Sequence, residues 1–164
     1  VKILSCLAAA LAVAGLGLVA VGPIPSARAQ APASAATAKA ELLTIVTQSG
    51  PKRFDVEVMR DDASRSRGLM FRRHMAADHG MLFDFERAEP VTMWMKNTYL
   101  PLDMVFIRPD GTISRIAADT EPLSTAIIPS GGPVLAVLEL NAGIAAKLGI
   151  QPGDRVEHAM FRHR

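Results

Sequence analysis

Between residues 41 and 160 the hydrophobic positions fall in short runs, many alternating with polar ones, and the runs are separated by Gly, Pro, Asn and Asp. Leu42–Thr47 is apolar and β-branched, and Arg53–Met59 places Phe54, Val56 and Val58 on one face and Arg53, Asp55 and Glu57 on the other. A period of two with Val enrichment predicts half-buried strands. Gln48–Pro51 supplies the turn that makes them a hairpin. Gly80–Phe85 predicts a further strand with Met81, Phe83 and Phe85 on one face, followed by a turn at Glu86–Pro90. Val91–Lys96 and Leu100–Ile107 are apolar segments interrupted by Asn97-Thr98 and Pro101, so one straight strand is excluded. Pro109-Asp110-Gly111 is turn chemistry, and Thr112–Ala117 returns as the partner of the Val105–Ile107 segment. Ala126–Pro129 is extended, Ser130–Pro133 a flexible turn, Val134–Leu140 a central strand broken only by Glu139, and Arg155–Met160 the last strand.

Two short stretches change period. Asp61–Arg67 predicts a helical turn capped by Asp62 or Ser64 and ended by Gly68. Ala142–Leu148 predicts a two-turn helix capped by Asn141 and stopped by Gly149. About eight or nine short strands with two short helices predict a mainly β protein, a single compact β-barrel or β-sandwich.

Residues 1–29 do not fit that pattern. Lys2 precedes an apolar run from Ile3 to Gly22, and Ala27-Arg28-Ala29 follows Pro23 and Pro25. A basic start, an apolar middle and an A-x-A site predict a signal peptide cut after Ala29; the alternative is an uncleaved membrane anchor, which would be the chain's only membrane contact. The expected location is periplasmic or secreted. Residues 30–40, rich in Ala, Pro, Ser and Thr, predict a flexible linker, residues 41–160 a single domain, and residues 161–164 a tail.

Removing the leader alters the composition. Cys6 goes with it, leaving no cysteine and no disulfide. Lys2 and Arg28 go too, so 16 basic residues face 16 acidic ones and the pI of 9.0 for the whole chain overstates its basicity. That balance argues against a general nucleic-acid binder.

Candidate chemistry concentrates in Met93–Ile107, which holds the only Trp, Trp94, the only Tyr, Tyr99, and one isolated carboxylate, Asp103. Apolar neighbours on both sides predict that Asp103 is buried, and a buried carboxylate needs partners. Arg67, Lys96 and the Asn97-Thr98 segment are the candidates, and the expected role is to brace the Trp94–Thr98 loop. Glu139 ends an apolar strand and could pair with Lys96 or an arginine, face solvent at the strand's end, or form an acid–base couple with Asp103. Arg72 and Arg73 read as a solvated basic face with one arginine pairing an acid. The eight methionines admit a soft-metal site, but they lack the dense repeats of a metal-scavenging tract and read as core filler. His74 and His79 have no zinc spacing. Ser130-Gly131-Gly132 lacks a P-loop lysine, and there is no G-x-S-x-G element. No metal or other cofactor is expected.

Several stretches occur together in one order: Arg67–Arg72 (RGLMFR), Gly80–Phe83 (GMLF), Met93–Thr98 (MWMKNT), Pro101–Phe106 (PLDMVF), Leu138–Leu140 with Gly143, and Leu148–Ile150 with Gly153-Asp154. The set, from about Leu43 to Val156, resembles the domain-of-unknown-function family numbered 192, an exported or membrane-anchored bacterial and archaeal family. The one departure is Tyr99, where an aliphatic residue is usual. The resemblance implies a compact β-rich fold and no settled activity, so it carries over no catalytic residues.

These readings converge on an exported binding module for a small polar ligand, glycan or peptide, with Arg67, Trp94, Lys96, Asn97, Thr98, Asp103 and Glu139 as candidate binding residues. The alternatives are an enzyme using Asp103 as acid/base with Lys96 or Arg67, and a structural partner of an envelope protein.

Overall fold

The computed structural model describes residues 40–162. The expected leader, nearly all of the expected linker, and His163 and Arg164 lie outside the described residues. The elements are β1 (Glu41–Thr47), β2 (Gly50–Met59), α1 (Asp62–Arg67), β3 (His79–Met93), β4 (Leu102–Ile107), β5 (Ile113–Thr120), β6 (Ile128–Asn141), α2 (Ile144–Leu148) and β7 (Arg155–Glu157), followed by a 3-10 turn at Ala159–Phe161.

The protein is mainly β, as the alternation predicts. Among the described residues the strands number seven, in one sheet of order β5-β4-β6-β3-β2-β1-β7. They are fewer and longer than expected because two expected turns are bulges inside long strands. At Glu86, with φ of 65°, β3 shifts register against β6, and the Asp84 carboxylate accepts the Glu86 N–H at 2.8 Å. At Ser130 the hydroxyl accepts the Val91 N–H and donates to the Gly132 carbonyl, so a side chain replaces a rung of the ladder. Pairing is antiparallel except between β2 and β3, which α1 and the loop after it connect.

The sheet curls until its two edges meet. Thr112 bridges Arg155, the Ile113 N–H donates to the Asp154 carbonyl at 2.9 Å, and the Val156 N–H donates to the Gly111 carbonyl at 2.8 Å. One core lies inside the curl, with Leu43, Ile45, Phe54, Val56, Leu82, Val105, Ile107, Leu138 and Leu140, covered at one end by Ala145 and Ile150. A second core lies on the other face, with Met59, Leu69, Met75, Met81, Phe83, Met95, Leu102, Met104, Phe106 and Val137. Strand β4 and residues 134–140 of β6 are therefore buried on both sides, which is why they read as unbroken apolar runs.

The local signals differ from expectation at three points. Asp61, not Asp62 or Ser64, caps α1 through a capping box with Ser64. The cap of α2 is Gly143, because the Asn141 amide instead donates to the Met75 and Ala76 carbonyls. Phe161 packs against the inner core, so the chain is still structured where a tail was expected.

The seam makes Gly111 indispensable. Its φ is +83°, and a Cβ there would lie 2.7 Å from the Val156 carbonyl oxygen. Gly111→Ala is expected to cost about 2 kcal/mol or more from backbone strain and the clash, lowering the melting temperature by roughly 6–10 °C. Differential scanning calorimetry checks this, and an unchanged midpoint would mean the seam does not hold the sheet closed.

Candidate functional site

The outer core is roofed by α1 with the residues after it and by Trp94–Thr98, and between them lies a cleft of about 820 Å³. Its walls include Leu69, Met70, Phe83, Phe85 and Met93. Of the residues expected at a site, Arg67, Trp94, Lys96, Thr98 and Glu139 line it; Asn97 and Asp103 do not.

Glu139 is the unusual member. On β6 it sits directly opposite Met81 of β3 and Met104 of β4, both buried. It is 4% exposed, yet lines the cleft. The expected pairing with Lys96 or an arginine is not made; among the described residues its carboxyl has no hydrogen bond and no ion pair. Burial alone pushes its pKa up from 4.5 to about 8, since an apolar surround penalises the charged form. At neutral pH it is mostly a carboxylic acid, able to donate as well as accept.

The charges at the mouth divide into paired and unpaired. Arg65 donates to the Arg60 and Asp84 carbonyls at 2.7 Å and pairs with Asp62 and Glu86. Arg87 pairs with Glu89 at 3.5 Å. Arg72, outside the cleft, makes a two-pronged bond to Glu57. Among the described residues Arg67 and Lys96 meet no carboxylate; the Lys96 ammonium lies 5.2 Å from the centre of the Trp94 ring, a cation–π contact.

Asn97 shapes the wall instead of lining it. Its φ is 57°, a left-handed conformation that Asn tolerates better than most residues. The resulting kink aims the Asn97 carbonyl at the Phe71 N–H, 2.9 Å, and the Thr98 carbonyl at the Leu123 N–H, 3.0 Å. Phe71 and Leu123 are themselves left-handed, both with φ of 64°. Tyr99 lies outside the core, edge-on to Phe71 at 6.3 Å with Arg73 4.9 Å from its ring centre.

Asp103 is buried as expected, but its partners are not the expected side chains. One carboxylate oxygen accepts the Asp119 N–H and the other the Ala145 N–H, each at 2.9 Å. It thus caps α2 from a neighbouring strand, where Gly143 has no side chain to do so, and holds Asp119 in its left-handed conformation, φ 50°. Its link to the Trp94–Thr98 loop is indirect, through the segment after Asp119. There Thr120 donates to Met95 Sδ and the Leu102 carbonyl, and the Ser124 carbonyl accepts the Met95 N–H. Asp103 pairs across the ladder with Leu140, and Glu139 with Met104. Alternation therefore sends the two carboxylates to opposite faces of the sheet, which rules out the acid–base couple. Asp103 is also fully enclosed, so it cannot meet a substrate in the cleft as the acid/base of the enzyme alternative.

Most methionines are core filler: Met59, Met75, Met81, Met95 and Met104 are buried in the outer core. Among the described residues no group of three His, Asp or Glu side chains could hold a metal ion. The aromatic walls, Phe83 and Phe85, were missed as site residues. Their shared face with Met81 was readable, but the packing of α1 across that face was not.

Two outcomes follow from the carboxylates. Asp103→Asn places an NH₂ against a backbone N–H and leaves that amide unsatisfied, at about 2 kcal/mol; the melting temperature should fall by roughly 6 °C or more, and an unchanged one would sink the bracing role. Glu139 has its folded pKa raised above its unfolded value, so the folded state keeps a proton that the unfolded chain releases. Its contribution is fully present below pH 4.5 and is lost as pH rises to about 8. The buried His158, whose pKa is lowered mainly by burial, acts in the opposite sense, so the readout is the difference between wild type and Glu139→Gln. The variant should gain on the wild type across that window, by on the order of a few kcal/mol at about 1.4 kcal/mol per pKa unit. A constant difference from pH 5 to pH 8 in urea titrations would refute the raised pKa.

The solved structures to which the chain is similar include the following two. A candidate transcription regulator from Sinorhizobium meliloti 1021 is 55% identical, with a TM-score of 0.72, over 74% of this chain and 95% of that one. A protein of unknown function from Novosphingobium aromaticivorans DSM 12444 is 40% identical, with a TM-score of 0.74, over 84% of this chain and 99% of that one. No curated protein matches. Residues 44–158 match the DUF192 family, described as an uncharacterized ACR, and the chain belongs to that family.

Proposed function

We propose that this domain is a binding module that takes a small polar ligand, such as the end of a glycan or peptide, in the cleft between α1 and Trp94–Thr98. The observation that carries the reading is Glu139: a buried carboxyl without a partner, open to a cleft of about 820 Å³. Because the carboxyl reaches the cleft, a ligand there can hydrogen-bond to it in place of water. The volume suits a small molecule, and the lining suits one with polar groups: the apolar side chains of Leu69, Met70, Phe83, Phe85, Met93 and Trp94 stand among a larger number of polar ones.

Export through residues 1–29 is part of the same proposal, supported by the basic, apolar and A-x-A sequence pattern. Among the described residues no helix is long and apolar enough to cross a membrane. The Sinorhizobium relative's description raises a role in regulating transcription, but residues 40–162 carry 14 basic and 16 acidic side chains, which is not the footprint of a nucleic-acid binder. A second reading, an envelope partner protein, draws support from the exposed Phe71, Leu123 and Ile127.

Protein purified from its own host and examined by native mass spectrometry should carry an added small molecule. Glu139→Leu should lose it while melting no lower than the wild type, because the substitution removes an unpaired buried polar group. Trp94, the only tryptophan, lines the cleft and should change its emission when the ligand is stripped. A bare wild-type mass with emission unaffected by host extract would overturn the ligand reading, and co-purification of a stoichiometric protein would favour the second.

A further inference from the structure

Resting on the cleft being a ligand site, we propose that its ligand is a small organic anion: an apolar or aromatic body enclosed over Glu139, with a carboxylate-type group held at the mouth by Arg67 and Lys96. The argument is an inventory of the charges that face the cleft from each element. On α1, Asp62 is consumed by Arg65, leaving Arg67. On β3, Glu86 faces Arg65, and Arg87 faces Glu89. On the Trp94–Thr98 segment the only charge is Lys96, parked on the Trp94 ring. On β6 there is Glu139, which burial holds protonated at neutral pH. Arg65 answers both Asp62 and Glu86, so four cations face three ionised acids; the cleft keeps one net positive charge, and the two cations without a carboxylate partner among the described residues, Arg67 and Lys96, are exposed at the mouth.

The interior sets the other end of the ligand. Glu139 lies between the buried Met81 and Met104 and shares the cleft with Leu69, Met70, Phe83 and Phe85, and a second ionised group placed there would be desolvated without a counter-charge. A protonated carboxyl does, however, donate to a neutral oxygen, so a hydroxyl, ether or carbonyl belongs at the inner end. A cationic ligand is disfavoured twice, by Arg67 and Lys96 at the mouth and by the absence of an ionised acid inside. An anion at the mouth also draws Lys96 off the Trp94 ring, so binding should register in Trp94 emission.

The test compares three isosteric probes by isothermal titration calorimetry on the described domain in its full chain: 4-hydroxybenzoate, neutral 4-hydroxybenzamide and cationic 4-hydroxybenzylamine. The benzoate is expected to bind at least tenfold tighter than the amide, as two charge-assisted contacts at a partly exposed mouth allow. That advantage should shrink with added salt. It should also disappear in the double variant Arg67→Ala, Lys96→Ala, with amide binding retained. Equal binding of benzoate and amide, or preference for the amine, overturns the anion assignment while leaving the cleft a ligand site. Failure of all three probes to bind a wild type whose native mass shows no bound molecule overturns both.

Discussion

Strands β4 and β6 are covered on both faces along most of their length, and a charge that enters this slab must either find partners inside it or be given up. Two carboxylates do enter. Asp103 faces the inner core and Glu139 the outer one, from adjacent strands of the same sheet. Asp103 is satisfied by backbone amides alone. Each of its oxygens takes one N–H from a segment that would otherwise be strained or uncapped, the left-handed Asp119 and the first turn of α2. One side chain thereby aligns the end of β5, the start of α2 and the β4 strand between them. Removing it would free three segments at once, and the residues after Asp119 are the ones that hold the Met95 side of the cleft wall.

That wall is where backbone strain collects. Phe71, Asn97 and Leu123 are all left-handed, and the first and last donate their N–H groups to the carbonyls of Asn97 and Thr98. A bulky residue at positive φ costs on the order of 1–3 kcal/mol and persists only where its surroundings over-determine it. Here the surroundings are the kink itself: turning the chain at Asn97 exposes two carbonyls, and the flanking loops adopt costly conformations to meet them. The strain thus fixes the distance between the Met70 side of the cleft and the Trp94 side. Phe71 and Leu123 leave their side chains exposed as a consequence, which puts apolar surface beside the cleft.

How far this was readable from residues depends on the range of the interaction. Alternation in Arg53–Met59 and the unbroken Val134–Leu140 run reported burial on one face and on two, because those patterns are local. The long strands β3 and β6 were harder. Ser130 and Asp84 replace backbone rungs with side-chain ones, and in sequence a bulge looks like a turn. The burial of Asp103 followed from its apolar neighbours, but its partners did not, since backbone amides carry no signature in a sequence. Side chains such as Arg67 and Lys96 were natural guesses only because they are visible there. Glu139 failed in the opposite way. A carboxylate in an apolar strand is expected to find a cation, and the register alone shows that its neighbours across both ladders are methionines.

Why Glu139 stays unpaired is a question of geometry as much as of energy. The two cations able to approach it stand at the mouth, and Lys96 already has the Trp94 face, a contact available without burying the ammonium. For either cation to reach Glu139 it would have to leave water and enter a cleft whose walls include Met70, Phe83 and Phe85. The Coulombic gain from a buried pair commonly fails to offset such desolvation. Taking up a proton is the less costly route, since it removes the charge without moving any side chain. The result is a cleft that remains open. A paired Glu139 would need an arginine or lysine lying along the cleft axis, filling the space between α1 and Trp94. Protonation keeps that space empty and leaves a hydrogen-bonding group at its inner end.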